Sequence, residues 1–393
     1  MTANASSDHP AHPGAPRKPR AGLVLTGGGA RAAYQVGVLK AVRDILGNPS
    51  RSPFPIVCGT SAGAINATAL ATHATDFPRA VANLLDIWEN MRCEHIYRTD
   101  LGGVTRAGAR WLSSMMLLSR RNPISLLDNT PLRYLVDRLL PFERIQDNID
   151  AGALYAVSVT ASGYTSGQSV SFFQGGSGLE GWERNQRIGA AVTLKPEYLL
   201  ASAALPFIFP AVKVHREFFG DGSMRQIAPV SPALHLGADR VFIVGTARQT
   251  QDHARARSSI YPSIAQIAGH ALNSIFLDSL MVDIERLERI NRTLSLIPPE
   301  VRAKGKDALR PIKVMTVLPS QSLERVAARF LHELPRTIRF LLRPTGAMNR
   351  SGSNLASYLL FEESFCRALI DLGYQDTAVR EVEVRNFFDA SHD

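Results

Sequence analysis

The stretch Ile56-Val57-Cys58-Gly59-Thr60-Ser61-Ala62-Gly63-Ala64-Ile65-Asn66 limits the possible folds more than any other part of the chain. An apolar run ends at Gly59, a serine stands between two glycines, and small helix-compatible residues follow. The order is strand, sharp turn, helix, the G-x-S-x-G arrangement that lifts a serine hydroxyl above a sheet edge. A Cβ two positions from so tight a turn would collide with the adjoining strand or helix, and Gly59 and Gly63 remove it. The turn also leaves Ser61 near a helix N-terminus, where the dipole favours developing negative charge. Taken alone, the pattern is equally a plain glycine-rich turn, because Gly, Ser and Ala are common residues.

Its surroundings alternate strand and helix. Ala21 to Thr26 is an apolar strand that runs into Gly27-Gly28-Gly29-Ala30-Arg31. Ala32 to Leu46 carries Tyr34, Val38, Ala41, Val42 and Ile45 on one helical stripe, and Gly47-Asn48-Pro49 stops it. Ala64 to Ala74 and Phe77 to Met91 read as two further helices. This alternation predicts a parallel α/β sheet. At 393 residues, with 45% hydrophobic and 20% charged residues, the chain has material for a large core. The three cysteines, Cys58, Cys93 and Cys366, are too few and too scattered for a disulfide framework or a zinc site.

The triple glycine has two readings. Gly27, Gly29 and Ala32 fit a dinucleotide fingerprint, but the acidic residue that fingerprint needs at the end of the second strand is missing. Asp44 falls inside the predicted helix instead. A phosphate-binding P-loop is excluded because no lysine follows the glycines. The other reading joins both loops: parallel neighbours bring their C-terminal ends to one edge, so the glycine amides stand beside Ser61 as an oxyanion hole. Arg31 would add positive charge there, unless it is a solvent-facing first-turn residue.

A serine nucleophile needs a base. None of the ten histidines lies at a glycine-bracketed strand end. Asp221, in Phe218-Phe219-Gly220-Asp221-Gly222-Ser223, has the same close-approach setting as Ser61, although a β-turn aspartate would look alike. Leu154 to Thr160 and Ser169 to Phe173 read as paired strands, Val241 to Gly245 and Ile312 to Leu318 as core strands, and Ile264 to Ile290 as a long helix. Tyr198 to Leu205 reads as a short helix stopped by Pro206, and Leu132 to Leu140 as one started by Pro131.

The three motifs together, Gly27-Gly28-Gly29-Ala30-Arg31, Gly59-Thr60-Ser61-Ala62-Gly63 and Asp221-Gly222, resemble the patatin-like phospholipases in order and spacing. The resemblance implies a three-layer α/β/α fold with a mainly parallel central sheet and a Ser–Asp dyad. Matched by position, Ser61 is the nucleophile and Asp221 the base. The Gly27–Gly29 backbone stabilises the oxyanion, and Arg31 supports that loop. It further implies hydrolysis of phospholipid or other acyl-lipid esters, with no cofactor, no metal and no nucleic-acid partner. Ala32 and Ser223 stand where the family often has glycine, or glycine and alanine, which touches loop geometry only. A non-catalytic lipid- or nucleotide-binding regulator with an incidental serine is the alternative. A Ser-His-Asp esterase is disfavoured, because its elbow normally follows more strands than precede residue 61.

The expected organisation is a disordered tail (1–20), a catalytic core (21–245) with a lid near 93–125, and a mostly helical C-terminal extension (246–393) packed on the core. In the lid, Arg98, Arg106 and Arg110 interleave with Leu101, Val104, Trp111, Leu112, Met115 and Met116, and Arg120-Arg121 closes the run. In the extension, Leu323, Val326, Ala327, Phe330, Leu331 and Leu334 form an apolar stripe. Beyond Pro335, Arg336, Arg339 and Arg343 alternate with Ile338, Phe340, Leu341 and Leu342. With a net charge of +9 and a pI near 9.7, both basic stretches suit an anionic membrane surface or a plain solvated face. No signal peptide or transmembrane run is read, so a cytoplasmic protein with peripheral membrane contact is expected.

Overall fold

The computed structural model describes residues 19–103, 125–247, 261–275, 279–298, 310–349 and 352–389. All but the last two residues of the expected tail, and most of the expected lid from Val104 through Trp111 and Met116 to Arg121, lie outside these residues.

The fold is a ten-stranded sheet, mostly parallel at its centre. The strands are β1 (Ala21–Leu25), β2 (Ile56–Thr60), β3 (Ala156–Gly163), β4 (Ser169–Gly175), β5 (Trp182–Arg184), β6 (Arg187–Ala191), β7 (Val212–Val214), β8 (Glu217–Asp221), β9 (Arg240–Val244) and β10 (Lys313–Val317). Along the main path they run β10-β9-β1-β2-β3-β4-β6-β5, and the first five are mutually parallel. β4 pairs antiparallel with β3, and β7 and β8 form a side ribbon on β3. The strands β5 and β6 were not legible in the sequence, since Arg187-Ile188-Gly189-Ala190-Ala191 lacks an apolar alternation.

Burial on both faces of the sheet follows the period of two that strands impose. Leu23, Leu25, Val57, Val159, Phe242 and Val244 face one core, with the helices Ala33–Ile45, Ala62–Ala71 and Glu363–Ala378. Val24, Ile56, Cys58, Val241 and Ile243 face the other, beneath Ser231–His235 and Ser279–Ser295. The result is the expected α/β/α sandwich. All three cysteines are buried and free.

The C-terminal region enters these layers directly. β10 extends the sheet, and Glu363–Ala378 packs along Ala33–Ile45 so closely that backbones touch. A Cβ on Gly37 would strike the Ile370 carbonyl, and one on Gly373 would strike that of Tyr34. The stripe from Leu323 to Leu334 is buried except at Phe330, which is half-buried, but it is not one helix. Leu323–Ala327 is followed by a separate turn, Leu331–Glu333. The pattern over Ile264 to Ile290 is described as Ile264–Asn273 and Ser279–Ser295, either side of residues 276–278.

The Gly37 crossing has a direct consequence for stability. Gly37→Ala overpacks a backbone contact that has no flexible side chain to yield, at a cost of about 1–3 kcal/mol. Gly176→Ala meets only the Tyr155 ring at 3.6 Å and the Tyr155 carbonyl at 3.9 Å, so it stays within about 0.5 kcal/mol of the parent. Urea denaturation midpoints of the two variants check this, and equal midpoints would contradict it.

Candidate functional site

The site is built where two strands meet end to end. β2 pairs with β3 only as far as Thr60 opposite Thr160, and there the chain turns off at Ser61. From Ala161 onward that side of β3 is taken by β8, running the opposite way, with Asp221 opposite Ala161. The other side of β3 is already filled by β4. The C-terminal ends of β2 and β8 therefore point at each other, and the side chains of Ser61 and Asp221 interact.

Ser61 has φ 56° and ψ −131°, a conformation that costs about 1–3 kcal/mol for a residue with a side chain. The flanking glycines make the turn possible. A Cβ on Gly59 would run into the Gly63 carbonyl and the start of the following helix, and one on Gly63 would meet the Leu25 and Thr26 carbonyls at the end of β1. The Ser61 amide donates to Ser202 Oγ at 2.8 Å, and that hydroxyl donates to the Thr160 carbonyl at 2.6 Å. Ser202 thus ties the elbow to β3. Sequence reasoning missed it, because a serine in a short apolar helix carries no signal of its own.

Asp221 is fully buried. Its amide donates to the Ala204 carbonyl, and Oδ1 accepts from the Ser223 amide at 2.9 Å. Oδ2 has no hydrogen-bond partner among the described residues. Burial pushes the carboxyl up to about 6, against the opposing effects of the Ser61 and Ser223 contacts.

The glycine loop follows β1 on the other side of β2. Gly29 has φ +56°, and any Cβ there would strike the Tyr358 carbonyl. The Gly27 carbonyl is engaged by the Thr246 hydroxyl, while the Gly28 and Gly29 amides have no protein acceptor among the described residues. Arg31 is neither solvent-facing nor directed at the serine. It is buried, and every donor group finds a neutral oxygen: Nε on Ser357 at 2.8 Å, Nη1 on Asn273 at 2.9 Å and Tyr358 at 3.1 Å, and Nη2 on Asn354. Its guanidinium also stacks 4.0 Å from the centre of the Tyr358 ring. Four residues from the last third of the chain therefore hold the loop.

An apolar cavity opens on Ser61 and Gly29. Leu84, Ile87, Trp88 and Met91 line it from the helix Phe77–Glu89 and its end, and Leu132, Leu135, Val136 and Leu139 line it from Thr130–Leu139. Ile96, Phe209, Tyr358 and Phe361 complete the wall. The one amide in it, Asn66, is satisfied by Trp88 Nε1 at 2.8 Å and by Gln35 and the Ala32 carbonyl. No histidine lines this cavity among the described residues. His73 bonds to Thr72 and Asn83, His215 to Tyr198, and His235 stacks on Trp182.

A layered α/β sheet with a strained serine at a strand end defines the class of proteins built around a nucleophile elbow. Residues 23–234 match the model of the Patatin-like phospholipase family, and the chain belongs to that family. It is 28% identical over 216 residues to a cGAMP-activated phospholipase of Pseudomonas aeruginosa, a match covering 54% of this chain and 55% of that protein. It is 27% identical over 121 residues to a cUMP-AMP-activated phospholipase of Escherichia coli, covering 26% and 38%. The chain thus spans about half the length, or less, of these curated relatives. Among solved structures it is similar to VipD from Legionella pneumophila (TM-score 0.30, 14% identity, 90% of this chain and 67% of that one). It is also similar to human GIVD cytosolic phospholipase A2 (TM-score 0.39, 13% identity, 95% and 60%).

The environment of Asp221 makes a prediction for stability. A folded-state pKa raised from 3.8 to about 6 favours folding at low pH, and that contribution is lost as pH rises through about 6. A shift of this size corresponds to at most about 3 kcal/mol. Asp221→Asn, which cannot ionise, should therefore gain more thermal stability over the parent at pH 8 than at pH 4. Calorimetry at the two pH values tests this, and a gain independent of pH would contradict it.

Proposed function

We propose that the protein is a lipid acyl hydrolase that cleaves carboxylic esters of phospholipids or lysophospholipids through a Ser61–Asp221 dyad. The observation that carries this reading is the end-to-end meeting of β2 and β8 beneath an apolar cavity. It sets a strained serine against a buried carboxylate and leaves an acyl chain a dry path to Ser61.

In the first half-reaction, Asp221 takes the proton of the Ser61 hydroxyl while Oγ attacks the ester carbonyl. The oxyanion is stabilised by the free amides of the glycine loop and the N-terminus of the helix Ala62–Ala71. The proton then passes from Asp221 to the leaving alcohol, and an acyl-serine remains. Water attacks that ester, again giving its proton to Asp221, and the fatty acid leaves with Ser61 regenerated. A carboxylate with a pKa near 6 is a stronger base than an exposed aspartate and is still ionised at neutral pH. Arg31 acts from behind, by fixing the loop on Asn273, Asn354, Ser357 and Tyr358.

Ser61→Ala and Asp221→Asn should each abolish hydrolysis of phospholipid and lysophospholipid substrates, read by mass spectrometry of the released fatty acid, with folding retained. A fluorophosphonate probe should label Ser61 in the parent protein. Unlabelled Ser61 in folded protein would favour the regulatory alternative instead.

In the parent enzyme, kcat/KM should rise with pH along a single ionisation near 6, because protonated Asp221 cannot act as base. Tyr358→Phe keeps the ring and removes a hydroxyl that bonds Arg31 and Asn273. It should lower kcat by about tenfold or more, the scale of one hydrogen bond to a charged group, and lower the melting temperature because a buried guanidinium loses an acceptor, with KM little changed. A change confined to KM would remove the loop-positioning role.

A further inference from the structure

The basic stretch after Pro335 is not absorbed by the site, and its geometry differs from that of an interfacial amphipathic helix. In Arg336–Leu342 the apolar stripe is already spent: Ile338 and Leu342 are buried in the main core. The face left outside carries Arg336, Arg343 and Phe340, the last with 82% of its surface exposed. A phenylalanine so exposed and ringed by cations has no packing explanation. Arg336, Arg339 and Arg343 form no ion pair among the described residues, and the nearest acid before them, Glu333, lies beside His332.

Among the described residues, 334–349 and 352–361 contain three arginines and no Asp or Glu, and 261–275 contains no acid either. The two segments touch, since a Cβ on Gly346 would come within 2.9 Å of Ser263 Cβ. Just there the helix Ile264–Asn273 begins, with Tyr261, Ile264 and Ile267 exposed. The ridge also sits beside the cavity elements. Thr337 donates to the Thr99 carbonyl at 2.6 Å, three residues beyond the cavity-lining Ile96, and Asn273 closes the same helix on Arg31.

We propose that this ridge, with Arg336, Arg343 and Phe340 at its crest and Ile264 and Ile267 on its flank, seats the protein on an anionic lipid bilayer. Arginines meet the charged headgroups while the ring and the isoleucines enter the acyl boundary. A soluble anion would use the arginines but would leave the exposed ring and isoleucines in water. The proposal deepens the lipid-hydrolase reading by naming the surface that presents the site to its substrate, and its test does not depend on turnover.

The full chain carrying Ser61→Ala is mixed with vesicles of phosphatidylcholine alone or with phosphatidylglycerol, and the bound fraction is measured by sedimentation. The expected result is binding to the phosphatidylglycerol vesicles, weakened by salt. Each arginine at an anionic surface contributes about fivefold in partitioning, so Arg336→Gln with Arg343→Gln should weaken binding about 25-fold. Phe340→Ala should weaken binding to both vesicle types. These positions are exposed, so the variants should melt with the parent, and in the Ser61 background they should turn over a short soluble ester at the parent rate. Absence of vesicle binding, equal binding to both compositions, or unchanged binding by the variants would each overturn the ridge. Loss of all ester turnover in the Ser61 parent would overturn the hydrolase reading instead.

Discussion

The arrangement on which the rest of the site depends is the sharing of one side of β3 by two strands of opposite direction. A strand can continue along its neighbour only while it is hydrogen-bonded there. With β8 occupying β3 from Ala161, β2 must leave after Thr60. The sharp turn at Ser61 is the backbone's answer to that blockage, and its unfavourable φ is tolerated because Ser202, Gly59 and Gly63 fix it from three directions. The same collision buries Asp221, since the end of β8 is covered by the elbow. Strain at the serine and desolvation of the carboxylate thus have one topological cause.

The glycine loop depends on a second constraint, the buried guanidinium of Arg31. Burying a cation without a carboxylate is costly unless each donor group is hydrogen-bonded. Here Ser357, Asn354, Asn273 and Tyr358 supply those acceptors from outside residues 23–234, the family segment. The contact of Gly29 with the Tyr358 carbonyl fixes the loop from the same side. The C-terminal third is therefore part of the site's framework as well as of the sandwich, where Glu363–Ala378 lies backbone to backbone on Ala33–Ile45.

What could be read from the sequence divides along the same physical line. Ser61, the glycine loop and Asp221 were legible because each needs a particular backbone at its own position, and glycines record such needs locally. The parallel core strands were legible from apolar runs and turn residues. Ser202, Asn273, Asn354 and Tyr358 were not, because a hydrogen bond across 141 to 327 residues of chain leaves no local mark. Arg31 shows the limit well. Its placement in the loop was readable, but its direction, away from the serine and into the C-terminal helices, depends on partners that spacing does not reveal. The helical stripe from Leu323 to Leu334 was right about burial and wrong about continuity, since periodicity reports which residues face the core and not whether one helix carries them there.

The electrostatics of the site and of the surface are opposite, and this difference bears on function. Among the described residues no charged side chain lines the cavity beside Leu132, Val136, Trp88 and Phe361, so a neutral acyl chain would enter at no desolvation cost while an ionic headgroup would lose its hydration. Burial also raises Asp221, which suits the role of base that we propose for it. Outside, the surface around Arg336 and Arg343 that we propose as the membrane face would favour what the cavity rejects. A bilayer lipid has these two ends in the same order, charged where it meets water and apolar within. A protein that binds the headgroup layer outside and the acyl chain inside need only slide the lipid partway from the membrane, keeping each end in a medium like the one it leaves.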